Sequence, residues 1–282
     1  MNNPIVSVVI PCYNQGIFIK DALESLKKCN KDLFELIIVN DGSTDDYTNK
    51  LLGKLRDEGF QVIFQQNAGL GQARNSGIKI SKGKYILPLD ADNRIHPEYL
   101  SLGIEIMDLN EHVAVVYSNA NYFGDKTGVL KPGPFNLQRL MLGNFIDACA
   151  LIRKSVIVEV GYYDNMKVMG YEDWDLWLRI AFNNHKFHYI EKELFDYRVR
   201  KNSMMQSLNR DIQKQNEIEE YLIKKYSDKL DFEFVKDYYV YKLKKAPLKF
   251  FYKLILKKYF PEYYNRRIEE HKMYRGWLYD RL

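Results

Sequence analysis

Cysteine is scarce in this chain: Cys12, Cys29 and Cys149 are the only three in 282 residues. An odd, scattered set without metal-ligand spacing argues against a disulfide framework and predicts reduced thiols in a cytosol. Long apolar runs are missing too, and none approaches the roughly 20 residues that span a bilayer. No basic-then-apolar segment precedes the first apolar run, Val6–Ile10, so no secretory leader is expected. No Gly-x-x-x-x-Gly-Lys-Ser/Thr sequence occurs, and Gly69-x-Gly71-x-x-Arg74 lacks the third glycine of a dinucleotide fingerprint. Internal repeats and low-complexity tracts are absent as well.

What is present suits a soluble globular chain: 46% apolar and 28% charged residues. A chain of this length buries about three quarters of its unfolded surface, so no staple is needed. The net charge of +5 is unevenly placed. Residues 231–282 hold 13 Lys and Arg against 7 Asp and Glu, and the first 230 residues sum to about −1. Such asymmetry points to an appended segment with its own partner.

Five short runs, Val6–Ile10, Leu36–Val39, Val62–Phe64, Tyr85–Leu89 and Val113–Tyr117, are continuously apolar. That pattern predicts strands buried on both faces. Helical stretches, Gly16–Lys28 and Thr44–Glu58 among them, separate the runs. Strand–helix alternation predicts an α/β fold with a mostly parallel central sheet flanked by helices. Lys131-Pro132-Gly133-Pro134 predicts a loop, Ala148–Ile152 a return to the sheet and Leu194–Arg200 a last strand; from about Gln206 the pattern is helical.

Ligands of open parallel sheets bind beyond the carboxyl ends of the strands. Polar clusters fall there: Pro11-Cys12-Tyr13-Asn14, Asn40-Asp41-Gly42-Ser43 and Asp90-Ala91-Asp92. Residues two apart on an extended chain share a face, so Asp90 and Asp92 point the same way. Two hard oxygen donors can hold a divalent cation whose shell is completed by substrate phosphates. The competing reading is a solvated acidic turn. Asp41 and Ser43 can likewise be caps of the helix starting near Asp45. Glu172-Asp173 opens a helix with the apolar stripe Trp174, Trp177, Leu178 and Ala181, where acids are favoured by the helix dipole in any case.

In order and spacing, these pieces resemble the family-two glycosyltransferases of the GT-A fold. The matching stretches are Val8-Val9-Ile10-Pro11-Cys12-Tyr13-Asn14, Ile37-Ile38-Val39-Asn40-Asp41-Gly42-Ser43-Thr44-Asp45, Ala73-Arg74-Asn75-Ser76-Gly77, Leu89-Asp90-Ala91-Asp92 and Gly170-Tyr171-Glu172-Asp173-Trp174-Asp175-Leu176-Trp177-Leu178-Arg179. They run through residues 5–205, which implies a GT-A catalytic domain over 1–205 and a helical, basic and aromatic extension over 206–282.

The resemblance implies a UDP-sugar donor and a glycan acceptor, either a lipid-linked oligosaccharide or the sugar of a glycoprotein. It implies that Asp41 reads the base, that Pro11, Tyr13 and Asn14 wall the nucleotide pocket, and that Arg74 lies against the nucleotide. Asp92 is the implied ligand of Mn²⁺ or Mg²⁺, with Asp90 leaning towards the ribose. Asp173 is the implied general base, Glu172 a holder of the acceptor or brace of the loop, and Trp174 a sugar platform if it is not core. The helix dipole is expected to keep Asp173 ionised. A single base on one face implies inversion at the anomeric carbon. Many relatives carry Tyr-Arg-x-His-x-x-Ser near the end of the catalytic domain. Here Tyr197-Arg198-Val199-Arg200-Lys201-Asn202-Ser203 puts Arg200 where a histidine can ligate the metal. A guanidinium has no lone pair to offer, so either the metal has fewer protein ligands or Arg200 contacts the diphosphate. The five histidines match no family motif and are expected to be structural or exposed.

Residues 206–282 are rich in Tyr, Lys and Phe. They suit a bundle with solvated lysines, a membrane surface or a protein partner. A cytoplasmic setting, at the inner face of a membrane if the acceptor is lipid-linked, is expected, with no nucleic-acid partner. Two other functions compete: a degenerate transferase acting as a scaffold or binding subunit, and a nucleotidyltransferase on a related sheet. Retention of Asp41, Asp90, Asp92 and Asp173 argues against the first. The Pro-Cys-Tyr-Asn ending of the first strand, instead of a Gly-rich, Arg-containing loop, argues against the second.

Overall fold

The computed structural model describes residues 4–201 except 168 and, of the remainder, 203–204, 207–208, 211–229, 240–241, 243–245, 247–260 and 262–263. Contacts divide the chain into two units, Met1–Phe135 with Ile146–Arg200, and Asn136–Phe145 with Lys201–Leu282.

The first unit is built on one sheet. Its strands are β1 (Val6–Cys12), β2 (Phe34–Asp41), β3 (Gln61–Gln65), β4 (Tyr85–Pro88), β5 (Arg94–Ile95), β6 (Val113–Gly124), β7 (Gly128–Leu130), β8 (Leu151–Arg153) and β9 (Lys186–Val199). The order is β3-β2-β1-β4-β8-β6-β9-β5, with β7 paired to β6. β1 to β4 run parallel to one another, and β1 is buried along its whole length, as its unbroken apolar run requires. Chain order departs in both directions from β1, so a topological switch lies between β1 and β4, the place where ligands of open α/β sheets bind.

Beyond β4 the sheet is mixed. β8 runs antiparallel to both β4 and β6, and β9 is parallel to β6 over most of its length. β6 extends past the apolar run, through Ser118–Gly124, because its polar residues find partners across the sheet. Asn119 is buried, donating to Glu193 Oε1 at 3.2 Å and accepting from the Tyr189 hydroxyl.

Helices α1 (Gly16–Lys27), α2 (Asp46–Asp57), α3 (Leu70–Ile80), α4 (Glu98–Leu109), α6 (Lys154–Glu159) and α7 (Glu172–Phe182) belong to the same unit. α1 buries Ile19, Ala22, Leu23 and Leu26 at helical spacing. α3 packs so tightly on the sheet that a Cβ at Gly77 would stand 2.4 Å from Val9 Cγ1. The cap of α2 is neither Asp41 nor Ser43: Asp45 accepts from Thr48 N at 2.7 Å. All three cysteines are buried as free thiols, and burial pushes Cys12 and Cys29 up to about 11.

In the second unit lie the short α5 (Leu137–Leu142), α8 (Ile212–Lys225) and α9 (Pro247–Tyr259). Asp211 caps α8 by accepting from Lys214 N at 3.1 Å. No helix among the described residues is long and apolar enough to cross a membrane.

Candidate active site

The loops that follow β1 and β2 are tied together by side chains. Asn14, at φ 54°, reaches from the loop after β1 to the loop after β2. Its Oδ1 accepts from Thr44 N (2.7 Å) and Asp45 N (3.1 Å), and its Nδ2 donates to Thr44 Oγ1 (2.9 Å). Asn14 N donates to Ser43 Oγ (3.0 Å). Pro11 is buried inside β1, whereas Tyr13 is 45% exposed and offers an open ring.

Asp41 closes β2 and is buried. Oδ1 accepts from Gln65 Nε2 (2.7 Å) and Ala68 N (2.9 Å), and Oδ2 accepts from Gly69 N (2.9 Å). A carboxylate presents about four lone-pair positions, so two are used in holding the glycine-rich entry to α3 and one in holding Gln65 at the end of β3. Gly42 follows at φ 68°, where a Cβ would lie 2.5 Å from Asn67 N.

Arg74 is 1% exposed and has two carboxylate partners. Nη2 donates to Asp90 Oδ1 at 2.7 Å and Nη1 to Glu172 Oε1 at 2.8 Å. The Tyr163 ring lies 5.4 Å from the guanidinium. Burial works against the charge, but Asp90, Tyr163, Glu172 and Asp173 outweigh it and raise the Arg74 pKa well above its ordinary value. Tyr163 is itself fixed by Asn75, which donates to Tyr163 O (2.8 Å) and accepts from Tyr163 N (2.9 Å). The planar fork thus joins the turn after β4, 16 residues on from Arg74, to the start of α7, 98 residues on.

Glu172 also accepts from Gly170 N through Oε2 at 2.8 Å, so its carboxylate braces the loop before α7. Asp173 is buried beside it and accepts from Trp174 N at 2.8 Å. Burial, then the neighbouring Glu172 charge, raise its pKa well above the carboxylate range; Arg74 opposes them and Asp147 adds to them. This runs opposite to the expectation that the helix N-terminus keeps Asp173 ionised, because desolvation outweighs the dipole. Trp174 is 2% exposed and packs edge-on against Tyr171 at 5.7 Å, and Trp177 donates to Ile146 O at 3.1 Å. A buried indole has no face for a sugar, so the expected place of Trp174 in an acceptor subsite is corrected to a packing role.

Asp92 faces Arg200, whose Nη2 is 2.7 Å from Asp92 Oδ2. Arg200 lies over the Phe18 ring at 4.5 Å. Burial and Asp90 raise the Asp92 pKa, while Arg200 counteracts them. Among the described residues no group of three His, Cys, Asp or Glu side chains could hold a metal.

Two contributors escape sequence reading. Arg198 donates to Asp92 O (3.0 Å) and pairs with Asp21, while its backbone N donates to Asn93 Oδ1 (2.9 Å). It fixes the Asp90-Ala91-Asp92 turn from β9. The Tyr197-Arg198 pair next to Arg200 was the available signal. Asp147 is buried, accepts from Cys149 N at 2.8 Å and raises Asp173 and Tyr197. No spacing pattern marked it.

A glycosyl transferase family 2 model matches residues 7–161. An uncharacterized glycosyltransferase of Methanocaldococcus jannaschii is 29% identical over 211 residues, covering 71% of this chain and 72% of that protein. Staphylococcus aureus TarS 1–349, solved in complex with UDP-GlcNAc, superposes with a TM-score of 0.59 at 21% identity, over 79% of this chain and 72% of that one. A mannosyltransferase of Pyrobaculum calidifontis, solved with GDP-Man and Mn²⁺, gives 0.58 at 17% identity, over 77% and 65%. The fold is therefore that of the GT-A glycosyltransferases. The chain belongs to glycosyl transferase family 2 and is a glycosyltransferase.

Proposed function

We propose that this enzyme transfers a hexose of the glucose or galactose type from a UDP-sugar to a hydroxyl of a glycan acceptor, with inversion at the anomeric carbon. The observation that carries this reading is the Arg74 bracket. One buried guanidinium holds Asp90, at the end of β4, and Glu172, next to Asp173. In this reading the bracket would join a donor side to an acceptor side.

On the donor side, the remaining acceptor position of Asp41 would take the N3–H of uracil, with Tyr13 and Asn14 beside it. The UDP-GlcNAc complex of TarS supports a uridine donor. Asp90 and Asp92 would hold Mn²⁺ or Mg²⁺. The donor set fits a hard cation: two carboxylates at one strand end, each with one oxygen on an arginine and a second oxygen besides. With few protein ligands, diphosphate and water oxygens would complete the shell. The Mn²⁺ complex of the Pyrobaculum enzyme supports this assignment. When bound, the cation supplies Lewis-acid neutralisation of the departing diphosphate. Arg200 adds a fixed positive charge at Asp92.

On the acceptor side, Asp173 would take the proton of the incoming hydroxyl while that oxygen attacks the anomeric carbon. The bond to the diphosphate breaks on the opposite face. A raised pKa makes Asp173 a stronger base once ionised. Glu172, held by Arg74 and Gly170, keeps the loop in place. A lipid-linked acceptor would set the reaction at the cytoplasmic face of a membrane; a glycoprotein sugar is the other acceptor class.

A panel of nucleotide sugars with Mn²⁺, scored for nucleotide release, tests the donor. UDP-glucose or UDP-galactose is expected to be consumed fastest, and preference for a GDP-sugar overturns the uridine assignment. Retention of the donor's anomeric configuration in the product, read by NMR, overturns inversion.

A further inference from the structure

The last described helix turns its apolar side outward. Leu248, Phe251, Tyr252, Ile255 and Tyr259 recur along α9 at three- and four-residue intervals and are 50–86% exposed. Lys253, Leu254 and Leu256, on the other sides, are less exposed. Tyr241, Phe260 and Tyr263 add exposed rings before and after. A helix of a folded unit ordinarily shows water the reverse arrangement. A contiguous exposed apolar stripe marks an interaction surface.

Charge selects the partner. Lys244, Lys245 and Lys258 are exposed around the stripe. The 52 residues from 231 onward carry almost twice as many basic as acidic groups, 13 against 7. A second copy of the chain would bring lysine against lysine. An α-helix of 13 residues is about 20 Å long, too short to span a bilayer. Basic, aromatic helices with one apolar face lie in the headgroup plane, lysines towards lipid phosphates and side chains in the acyl boundary. Tyrosine suits that boundary, with its ring in the apolar layer and its hydroxyl in water. Lysine stems can run along the same layer with the ammonium at phosphate level.

We infer that α9 is an in-plane anchor that docks the chain on a membrane surface containing anionic lipids. The inference does not rest on the assignment of donor, metal or base.

The full-length protein tests it by flotation with vesicles of phosphatidylcholine alone and of phosphatidylcholine mixed equally with phosphatidylglycerol. Binding to the anionic vesicles only, reversed by high salt, is expected. The double variant Phe251→Glu/Ile255→Glu should lower the bound fraction by about tenfold or more. The triple variant Lys244→Glu/Lys245→Glu/Lys258→Glu should lose the preference for anionic lipid. Both should keep the rate of nucleotide release from the donor, which separates this test from that of the reaction. Wild-type protein that stays unbound to anionic vesicles overturns the inference. So does equal flotation of the Phe251/Ile255 variant, or equal binding to neutral vesicles. Light scattering supplies the remaining arm: a lipid-free dimer that the Phe251/Ile255 variant dissociates assigns the stripe to a second copy instead.

Discussion

Arg74 answers two carboxylates with a single side chain, and its removal strands both. Glu172 is buried, so Arg74→Ala leaves an uncompensated internal charge. Breaking a buried pair from one side costs about 3–5 kcal/mol, and urea unfolding should show a loss in that range. Arg74→Lys should recover only part of it, because a point charge cannot span both partners. Asp173 gives a second residue-scale prediction. Asp173→Asn keeps an oxygen for Trp174 N but cannot take a proton, so transfer should fall by about 10²–10⁴. Stability should move the other way. The raised folded-state pKa means that ionisation disfavours the fold. That cost is absent below the unfolded value of about 3.9 and grows as pH rises through the folded value. The Asn variant should therefore melt higher than wild type at pH 7.5 and show no such advantage at pH 3.5, by differential scanning fluorimetry. In the wild type, the acidic limb of the pH–rate profile should lie above the ordinary carboxylate range, since the base must be ionised to act. At this scale the acids were legible because they sit at strand and helix ends. Asn14 and Asn75 were visible within their motifs, but their bonds were not, because loop-to-loop bonds follow from tertiary placement. Asp147 was not visible at all, since a lone aspartate carries no pattern.

At the scale of elements, strands buried on both faces announced themselves, and the starts of β1, β4 and β6 fall where their apolar runs begin. The mixed half of the sheet was not legible. β6 continues through Ser118, Asn119 and Asn121, and β9 begins at Lys186, eight residues before its apolar signal. In both, cross-strand partners satisfy polar side chains that pattern reading assigns to loops. The direction of β8 was equally hidden, because three residues, Leu151–Arg153, show no period. The turn after β2 is where an element meets the site. Gly42→Ala would place a Cβ 2.5 Å from Asn67 N at a positive φ, and a backbone atom cannot yield cheaply. A loss of about 1–3 kcal/mol is expected from strain of this kind. Weaker retention of UDP in equilibrium dialysis should accompany it, because Asp41 immediately precedes the turn.

For the whole molecule, the distribution of charge matters more than its sum. The first 230 residues total about −1, and Asp90 and Glu172 meet at Arg74 with Asp173 next in the chain. The doubly charged diphosphate of the proposed donor would gain further charge on leaving in this acidic setting, with Arg74 already committed to two carboxylates. An added cation is the simplest remedy. EDTA in excess should reduce transfer by at least about tenfold, with recovery on adding Mn²⁺ or Mg²⁺, since charge neutralisation at the leaving group is worth several kcal/mol. Full activity in EDTA would assign that work to Arg200. The thiols have a consequence of a practical kind. Cys12, Cys29 and Cys149 are all enclosed, and their protons are held tightly. Maleimides and iodoacetamide attack thiolates, so the native protein should resist them. A cysteine engineered at an exposed position such as Leu248 would then be the lone reactive handle for a fluorophore, reporting the surroundings of α9 in real time.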